Sequence, residues 1–305
     1  MEEKALRLSA VFLMILTAVS FALLPKLPAL HTWEVEAREE RIAEEEFAQS
    51  QVTMQNLKIK EQNEAAGAKG ELSIRLPEGV TGDQIAVSND YVTQTIRVEI
   101  PQADRTYFDS YPVLGNSDYI DGLSYTRQGE TGVIEVTTNK VYELQTEYDT
   151  QNFYFNFLTP HEVYDKVVVI DAGHGGRAVG ANKQGINEKD IDLAIVLKLK
   201  EIFDNSDQNI GVYYTRTDDS NPTFDQRVQL ANKSDADLFI SIHNNSTRSG
   251  RMSGTSGTQV MYDETSEASR QFAQICLEEV TGRIGSRDKG LVEGDSIYII
   301  RTSEV

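Results

Sequence analysis

Residues 166–176, KVVVIDAGHGG, indicate the fold of the second half of the chain. Its run over 167–170 is continuously apolar, which is typical of a strand buried on both faces of a parallel sheet. Asp171 follows this run, and glycines flank His174 on both sides. Because sites of open α/β sheets lie beyond the carboxyl ends of the strands, this turn is where functional side chains are expected.

Strand and helix patterns alternate from residue 165 to the end of the chain. Apolar residues at helical spacing predict helices over about 188–202, 224–233 and 266–281. Short runs rich in β-branched residues predict further strands over 210–215, 238–242, 258–262 and 297–301. We therefore predict an α/β domain over 165–305, with a mostly parallel sheet flanked by helices.

Residues 71–160 follow a different pattern, in which apolar and polar residues alternate. Ile96, Val98 and Ile100 alternate with polar neighbours, and turn residues such as those at 115–118 separate the runs. Short strands of period two between turns predict a small antiparallel β-sandwich-like domain. Its sequence contains no recognisable catalytic constellation.

The first 70 residues are predicted to contain a membrane-targeting segment and an acidic stalk. Residues 8–24 carry no charge and follow Lys4 and Arg7, so we interpret 1–30 as an uncleaved signal anchor or transmembrane helix. A cleaved signal peptide and a buried core helix are the alternatives. Residues 31–70 are rich in Glu and Ala and predict an acidic stalk, helical or disordered. With the N-terminus inside, everything after the anchor lies outside the cytoplasmic membrane.

Composition narrows the classes of partner. Of 305 residues, 29 are Lys or Arg and 48 are Asp or Glu, which gives a net charge of −19. Nucleic acid is excluded as a partner, because binding to phosphates needs a basic face. Cys276 is the single cysteine, so neither an intrachain disulfide nor a Cys-rich metal cluster can form.

Two of the four histidines fall where the sheet would place a site. His174 follows the first strand of the α/β domain, and His243 ends the strand at 238–242. Glu188 begins the helix that follows the loop after His174. Two imidazoles and one carboxylate, with a fourth position open, form one known type of catalytic zinc site. The alternative is that these are ordinary core or loop residues and that Glu188 complements the helix dipole.

Four segments carry a resemblance to a known family: VVIDAGHGG at 168–176, NEKD at 187–190, YTRTDD at 214–219 and ADLFISIHNN at 236–245. In order and spacing they resemble the zinc-dependent N-acetylmuramoyl-L-alanine amidases of the Amidase_3 family, over about 166–305. The resemblance implies that His174, Glu188 and His243 bind Zn²⁺. It also implies hydrolysis of the amide between the lactyl group of N-acetylmuramic acid and L-alanine in bacterial peptidoglycan, outside the cytoplasmic membrane. In position and strand pattern, the domain at 71–160 resembles the wall-targeting AMIN domains.

Other residues near these motifs are candidates for supporting roles. Asp171 is expected either to orient His174 or to stabilise the turn after the strand. Asn244 and Arg216 are candidates for orienting the ligands or contacting substrate. Arg216 and Arg227 fit either a contact to carboxylates of the stem peptide or salt bridges within the fold.

The sequence departs from the family at its end. Members close with a strand that carries the glutamate proposed as general base, and this chain reaches Val305 where that strand should begin. No catalytic base is therefore assigned; Glu293 mimics the motif but precedes the wrong strand. We expect an amidase domain that is C-terminally incomplete. The alternative function is a non-catalytic, zinc-containing protein that binds the cell wall.

Overall fold

A computed structural model describes residues 27–61, 69–244, 254 and 256–305. The expected anchor at 8–24 lies outside these residues. Within the described part of the chain, no helix is both long enough and apolar enough to cross a membrane. The chain divides into two compact units, which are Met1–Ile42 with Ser253–Thr302, and Ala43–Met252 with Ser303–Val305.

The region predicted as a stalk contains regular structure. Helix α1 spans Leu27–Ser50, so the helical alternative is the one observed there. It is followed by two short strands, β1 (Gln55–Asn56) and β2 (Lys60–Glu61), each of which pairs at the edge of a sheet.

Two five-stranded sheets follow within the second unit. Besides β1 and β2, the strands and the α-helix of this region are β3 (Leu72–Arg75), β4 (Ala86–Asp90), β5 (Thr95–Pro101), α2 (Arg105–Ser110), β6 (Leu114–Gly115), β7 (Ile120–Gln128), β8 (Thr131–Thr138), β9 (Glu143–Tyr148) and β10 (Asn152–Leu158). The strand orders are β1-β7-β8-β5-β4 and β2-β6-β3-β10-β9, and all pairs are antiparallel except β2 with β6.

Alternate residues of both sheets meet in one apolar core. Because side chains alternate across a strand, every second residue of β5 and of β10 is buried while its neighbours are partly exposed. The strand residues of this core include Leu72, Ile74, Ile96, Val98, Ile100, Ile134, Val136, Phe153, Phe155 and Phe157. Two sheets facing each other across such a core form a sandwich.

The chain then enters the α/β part of the same unit through a short helix. Helix α3 (Pro160–Val163) leads into strand β11 (Lys166–Ala172), and a small hairpin of β12 (Asn182–Lys183) and β13 (Ile186–Asn187) follows. The next elements are α4 (Glu188–Asp204), β14 (Ile210–Tyr214), α5 (Phe224–Lys233) and β15 (Leu238–Ile242). Strands β14, β11 and β15 pair in that order, all in parallel.

Strand β11 is central and is covered on both faces. Val168 and Ile170 pack with Val196 of α4. Val167 and Val169 pack instead with Leu230 of α5. The prediction that this apolar run forms a strand buried on both faces is confirmed, since each face of the strand packs against a different helix.

The sandwich and the α/β part pack against each other inside the second unit. Val141, just before β9, belongs to the apolar cluster around Val167 and Leu230. The Tyr213 hydroxyl donates to Glu143 Oε1 at 2.6 Å, and the Tyr91 hydroxyl donates to Oε2 of the same carboxylate at 2.9 Å. The two parts are therefore joined by an apolar contact that is reinforced by hydrogen bonds.

The first unit contains the last part of the α/β pattern. Strands β16 (Thr258–Tyr262) and β17 (Asp288–Glu293) pair in parallel, and helix α6 (Glu267–Ile284) connects them. The strand predicted over 297–301 is wrong, because this segment forms helix α7 (Tyr298–Thr302). The Tyr298 amide donates to Glu36 Oε1 at 2.8 Å. This carboxylate satisfies a backbone N–H at the start of the helix and favours the helical over the extended conformation in this segment.

Candidate metal centre

His174 is presented by a strained turn at the carboxyl end of β11. Its φ of +59° lies in the left-handed region, which is uncommon for a residue with a side chain. The turn is held in place by backbone and side-chain hydrogen bonds. The Gly173 amide donates to the Ile242 carbonyl at 3.0 Å, and Arg227 Nη2 donates to the His174 carbonyl at 2.8 Å. The imidazole is thus fixed beside the end of β15.

Glu188 is the first residue of α4, and its carboxylate is buried. The Ala181 amide donates to its Oε2 at 2.8 Å, and the Asn244 amide donates to its Oε1 at 2.9 Å. Two backbone donors from different loops therefore fix both oxygens of this side chain.

His243 follows β15 directly and completes the group. Its Nδ1 lies 3.2 Å from Glu188 Oε1, and His174 Nε2 lies 3.3 Å from the same oxygen. The two imidazole rings are 4.8 Å apart between centroids and nearly perpendicular. One nitrogen from each ring therefore converges on one carboxylate oxygen, so the three predicted ligands are brought together.

Two glycines make room for these rings. A Cβ on Gly173 would lie 2.3 Å from Cε1 of His243, and a Cβ on Gly180 would lie 2.6 Å from Cδ2 of His174. Any side chain at either position would displace an imidazole. The glycines are therefore part of the geometry of the site.

Asp192, which was not among the predicted ligands, also belongs to the cluster. One ligand atom from each of His174, Glu188, Asp192 and His243 can be chosen so that all lie within 4.8 Å of one another. Asp192 lies four residues after Glu188, on the same face of α4, and this spacing was the available signal. Asn244 Nδ2 donates to its Oδ1 at 2.7 Å, while its buried Oδ2 has no hydrogen-bond partner among the described residues.

The two carboxyl groups of α4 have opposite pKa shifts. Burial opposes ionisation of Glu188, but hydrogen bonds from His174 and His243 outweigh it and hold the pKa of Glu188 well below its usual range. Burial raises the pKa of Asp192 to about 6, although the hydrogen bond from Asn244 acts in the other direction. Glu188 is therefore the carboxylate that this cluster keeps ionised.

The structure supports the role of Asp171 at the end of the strand. Its carboxylate is fully buried and accepts hydrogen bonds from Thr215, Ser241 and Arg227. Burial favours the neutral acid, but the charge of Arg227 and the two hydroxyl donors outweigh it and lower the pKa of Asp171 to about 2. The Asp171–Arg227 ion pair therefore stabilises the turn that carries His174.

Arg216 and Asn244 both support the site from within the fold. Arg216 is buried and donates to the carbonyls of Ala172 at 2.9 Å and Gly173 at 2.7 Å, which immediately precede His174. The structure thus favours the internal role for both Arg216 and Arg227. Asn244 binds Glu188 through its amide and Asp192 through its side chain. Glu293 is exposed at the end of β17 in the first unit, whereas the cluster lies in the second.

The donor set suits a divalent metal ion. Two imidazole nitrogens, the ionised carboxylate of Glu188 and the unpartnered Asp192 oxygen are ligand types that Zn²⁺ accepts. Glu188 also has the outer hydrogen bonds that are typical of a metal ligand, since backbone amides bind it from two sides. These residues therefore fit a zinc ion.

The chain thus contains an α/β domain with a candidate metal centre at the carboxyl end of its parallel sheet. The sequence model of the family described as N-acetylmuramoyl-L-alanine amidase, Amidase_3, matches residues 168–305. Residues 168–305 therefore belong to the N-acetylmuramoyl-L-alanine amidase family.

Individual relatives match the same half of the chain. The uncharacterized protein YqiI of Bacillus subtilis (strain 168) is 37% identical over 146 residues, which are 46% of this chain and 66% of YqiI. The N-acetylmuramoyl-L-alanine amidase CwlM of Bacillus licheniformis is 33% identical over 123 residues, which are 40% of this chain and 47% of CwlM. The chain thus spans less than two thirds of either relative.

A crystal structure of an N-acetylmuramoyl-L-alanine amidase from Clostridium difficile 630 is similar at 31% identity, with a TM-score of 0.43. The similarity covers 46% of this chain and 75% of that one.

Proposed function

We propose that this protein is a zinc-dependent peptidoglycan hydrolase. It cleaves the amide between the lactyl group of N-acetylmuramic acid and L-alanine of the stem peptide. The observation that carries the proposal is the convergence of His174 Nε2 and His243 Nδ1 on Glu188 Oε1, at 3.3 and 3.2 Å, in a domain of the amidase family.

His174, Glu188 and His243 would hold the metal, and Asp192 lies close enough to share in its coordination. Bound Zn²⁺ polarises a scissile carbonyl and lowers the pKa of a water molecule towards about 7. The chain's own residues fix the ligands. Asn244 and Ala181 hold the Glu188 carboxylate, while Arg216 and Arg227 hold the backbone carbonyls around His174.

The proposed place of action is outside the cytoplasmic membrane, where peptidoglycan lies. The uncharged segment at 8–24 supports either anchoring in that membrane or export with cleavage of the signal. The sandwich would then be held on the same side as the substrate, because it packs on the α/β part.

The test is to load the purified 305-residue chain with zinc and incubate it with purified peptidoglycan. Mass spectrometry should detect stem peptides with a free N-terminal L-alanine. Metal analysis should find about one zinc ion per chain. His174→Ala should lose the zinc and the products together, because it removes one of three ligands.

His161→Ala is the matched control, since His161 lies at the start of the α/β part and its Nε2 contacts the carbonyl of Asp235 at 2.8 Å. This variant should keep both zinc and products. Zinc retained by His174→Ala would refute the ligand assignment. Bound zinc without released peptides would count against hydrolysis by these 305 residues and favour the non-catalytic wall-binding protein.

A further inference from the structure

The end of helix α1 lies against the loop that follows His174. Glu46 lies near the C-terminal end of this helix. Its carboxylate is bound by Arg177 and Asn221, which together form a site that we call the cradle. These residues and Glu46 all belong to the second unit. The cradle is not part of the metal cluster, but Arg177 follows His174 by only three positions.

Three donors hold the Glu46 carboxylate. The Arg177 backbone amide and Arg177 Nε donate to Oε1 at 2.9 and 3.0 Å, and Asn221 Nδ2 donates to Oε2 at 3.0 Å. A charged guanidinium with a backbone amide and a side-chain amide is a complete recognition set for a carboxylate. Arg177 Nη2 also donates to Glu45 Oε2 at 3.1 Å.

The cradle is built into the loop and oriented by the fold. The Asn221 side-chain oxygen accepts from Arg227 Nη2 at 3.4 Å, which turns the Asn221 amide donors towards Glu46. Arg227 is itself buried and paired with Asp171. The residue that supports the turn of His174 thus also orients a donor of the cradle.

Gly176 allows the carboxylate to come close. A Cβ on Gly176 would lie 2.5 Å from Glu46 Oε2, so a side chain there would collide with whatever fills the cradle. Its φ of +49° also favours glycine. The backbone is therefore open on the side from which the carboxylate enters.

The contact is also accessible to a competitor. The Arg177 side chain is 52% exposed and the Glu46 side chain 24% exposed. An exposed ion pair of this kind contributes little to stability, so a ligand can exchange with it. A chain with a net charge of −19 repels anions, and a dedicated cationic cradle is what an anionic ligand would need.

We propose that the Arg177–Asn221 cradle binds a carboxylate of the peptide part of the substrate, and that Glu46 fills it as an internal substitute until substrate displaces it. This inference rests on the proposed function for the nature of the substrate. The helix would then act as a competitive plug beside the metal centre.

A tethered competitor lowers the apparent association constant to the intrinsic value multiplied by the fraction of time for which the cradle is open. Removal of Glu46 should therefore tighten binding of a free carboxylate, and removal of Arg177 should weaken it. The probe is the dipeptide L-alanyl-D-glutamate, which lacks the scissile amide. Its diamide, in which both carboxylates are neutralised, is the uncharged comparison.

Binding of both probes to the full chain is measured by calorimetry. For Glu46→Ala we expect at least about fivefold tighter binding of the dipeptide than for wild type. Adding Arg177→Ala to that variant should reverse the gain, because the charged donor is lost. The diamide should bind all of these proteins equally.

Glu44→Ala is the matched control. Glu44 is exposed on the same helix, and its side chain makes no hydrogen bond or ion pair with the described residues, yet its loss changes the net charge equally. It should bind the dipeptide as wild type does. Equal affinities of Glu46→Ala and wild type, or a gain shared by Glu44→Ala, would overturn the inference. Zinc content is measured on the same samples, so failure of the metal centre is detected separately.

Discussion

The sandwich and the α/β part of the second unit are built on different principles. In the sandwich, large side chains such as Phe155 and Ile134 are completely buried between two sheets. Among the described strands of the α/β part, only β11 is buried on both faces, whereas every residue of β15 is partly exposed. Helix α4 leaves Ile202 at 65% exposure. Apolar packing therefore dominates the first region more than the second.

The polar groups show the reverse distribution. The Asp171–Arg227 pair is buried beneath the turn of His174, while the Arg97–Glu135 pair of the sandwich lies on its partly exposed face. Buried charges and hydrogen bonds on a small core therefore organise the site. The sandwich supplies the larger apolar mass beside it.

The largest expected effect comes from breaking the buried ion pair. Asp171→Asn leaves the Arg227 charge without its partner, and the free energy of unfolding should fall by about 3–5 kcal/mol. Glu135→Gln, at the partly exposed pair of the sandwich, should cost less than about 1 kcal/mol. Urea unfolding followed by circular dichroism measures both. Equal losses would contradict the proposed contrast between the two regions.

A smaller effect comes from the same apolar truncation made in each region. Ile134→Ala empties space in the sandwich core and should lower the free energy of unfolding by about 2–5 kcal/mol. Ile202→Ala removes an exposed side chain from α4 and should change it by no more than about 0.5 kcal/mol. Thermal and urea unfolding test this pair. A large cost at Ile202 would show that its helix face is covered in solution.

The smallest effect is a pH dependence specific to the α/β part. Because the pKa of Asp171 is lowered to about 2, its ionised form stabilises the fold above the unfolded pKa of about 3.9. This stabilisation, about 2 kcal/mol, is lost as the pH falls from about 3.9 through the folded pKa of about 2. The difference in stability between wild type and Asp171→Asn should therefore shrink by this amount between about pH 5 and pH 2.

Ile134→Ala has no titrating group at the altered position, so its stability difference from wild type should stay constant over the same range. A constant difference for Asp171→Asn would mean that its carboxyl has an ordinary pKa in the folded protein.

The parallel sheet was predictable because local pattern and tertiary environment agree in it. The apolar run at 167–170 lies between two helices, and the histidines at the ends of two strands meet because those strands are neighbours. The contact of His174 with Glu188 follows from the same topology. That these residues bind zinc stays a prediction.

What the sequence could not predict depends on distant contacts. Residues 297–301 have strand-like composition, but a cap from Glu36, far away in sequence, stabilises a helix there. Asp192 was missed because an acidic residue on a helix usually faces solvent, and only packing shows that this one is buried. The cradle for Glu46 joins segments more than 130 residues apart, which no local pattern reveals.

The contact between Val141, Tyr213 and Glu143 has a consequence for how the two parts could be inherited or dissected. A chain divided after residue 160 would expose the apolar side of α5 to solvent and remove the hydrogen-bond acceptor of Tyr213. Such fragments would expose an apolar surface and tend to associate. The sandwich and the α/β part thus depend on a shared interface, and exchange of one part would require the matching face of the other.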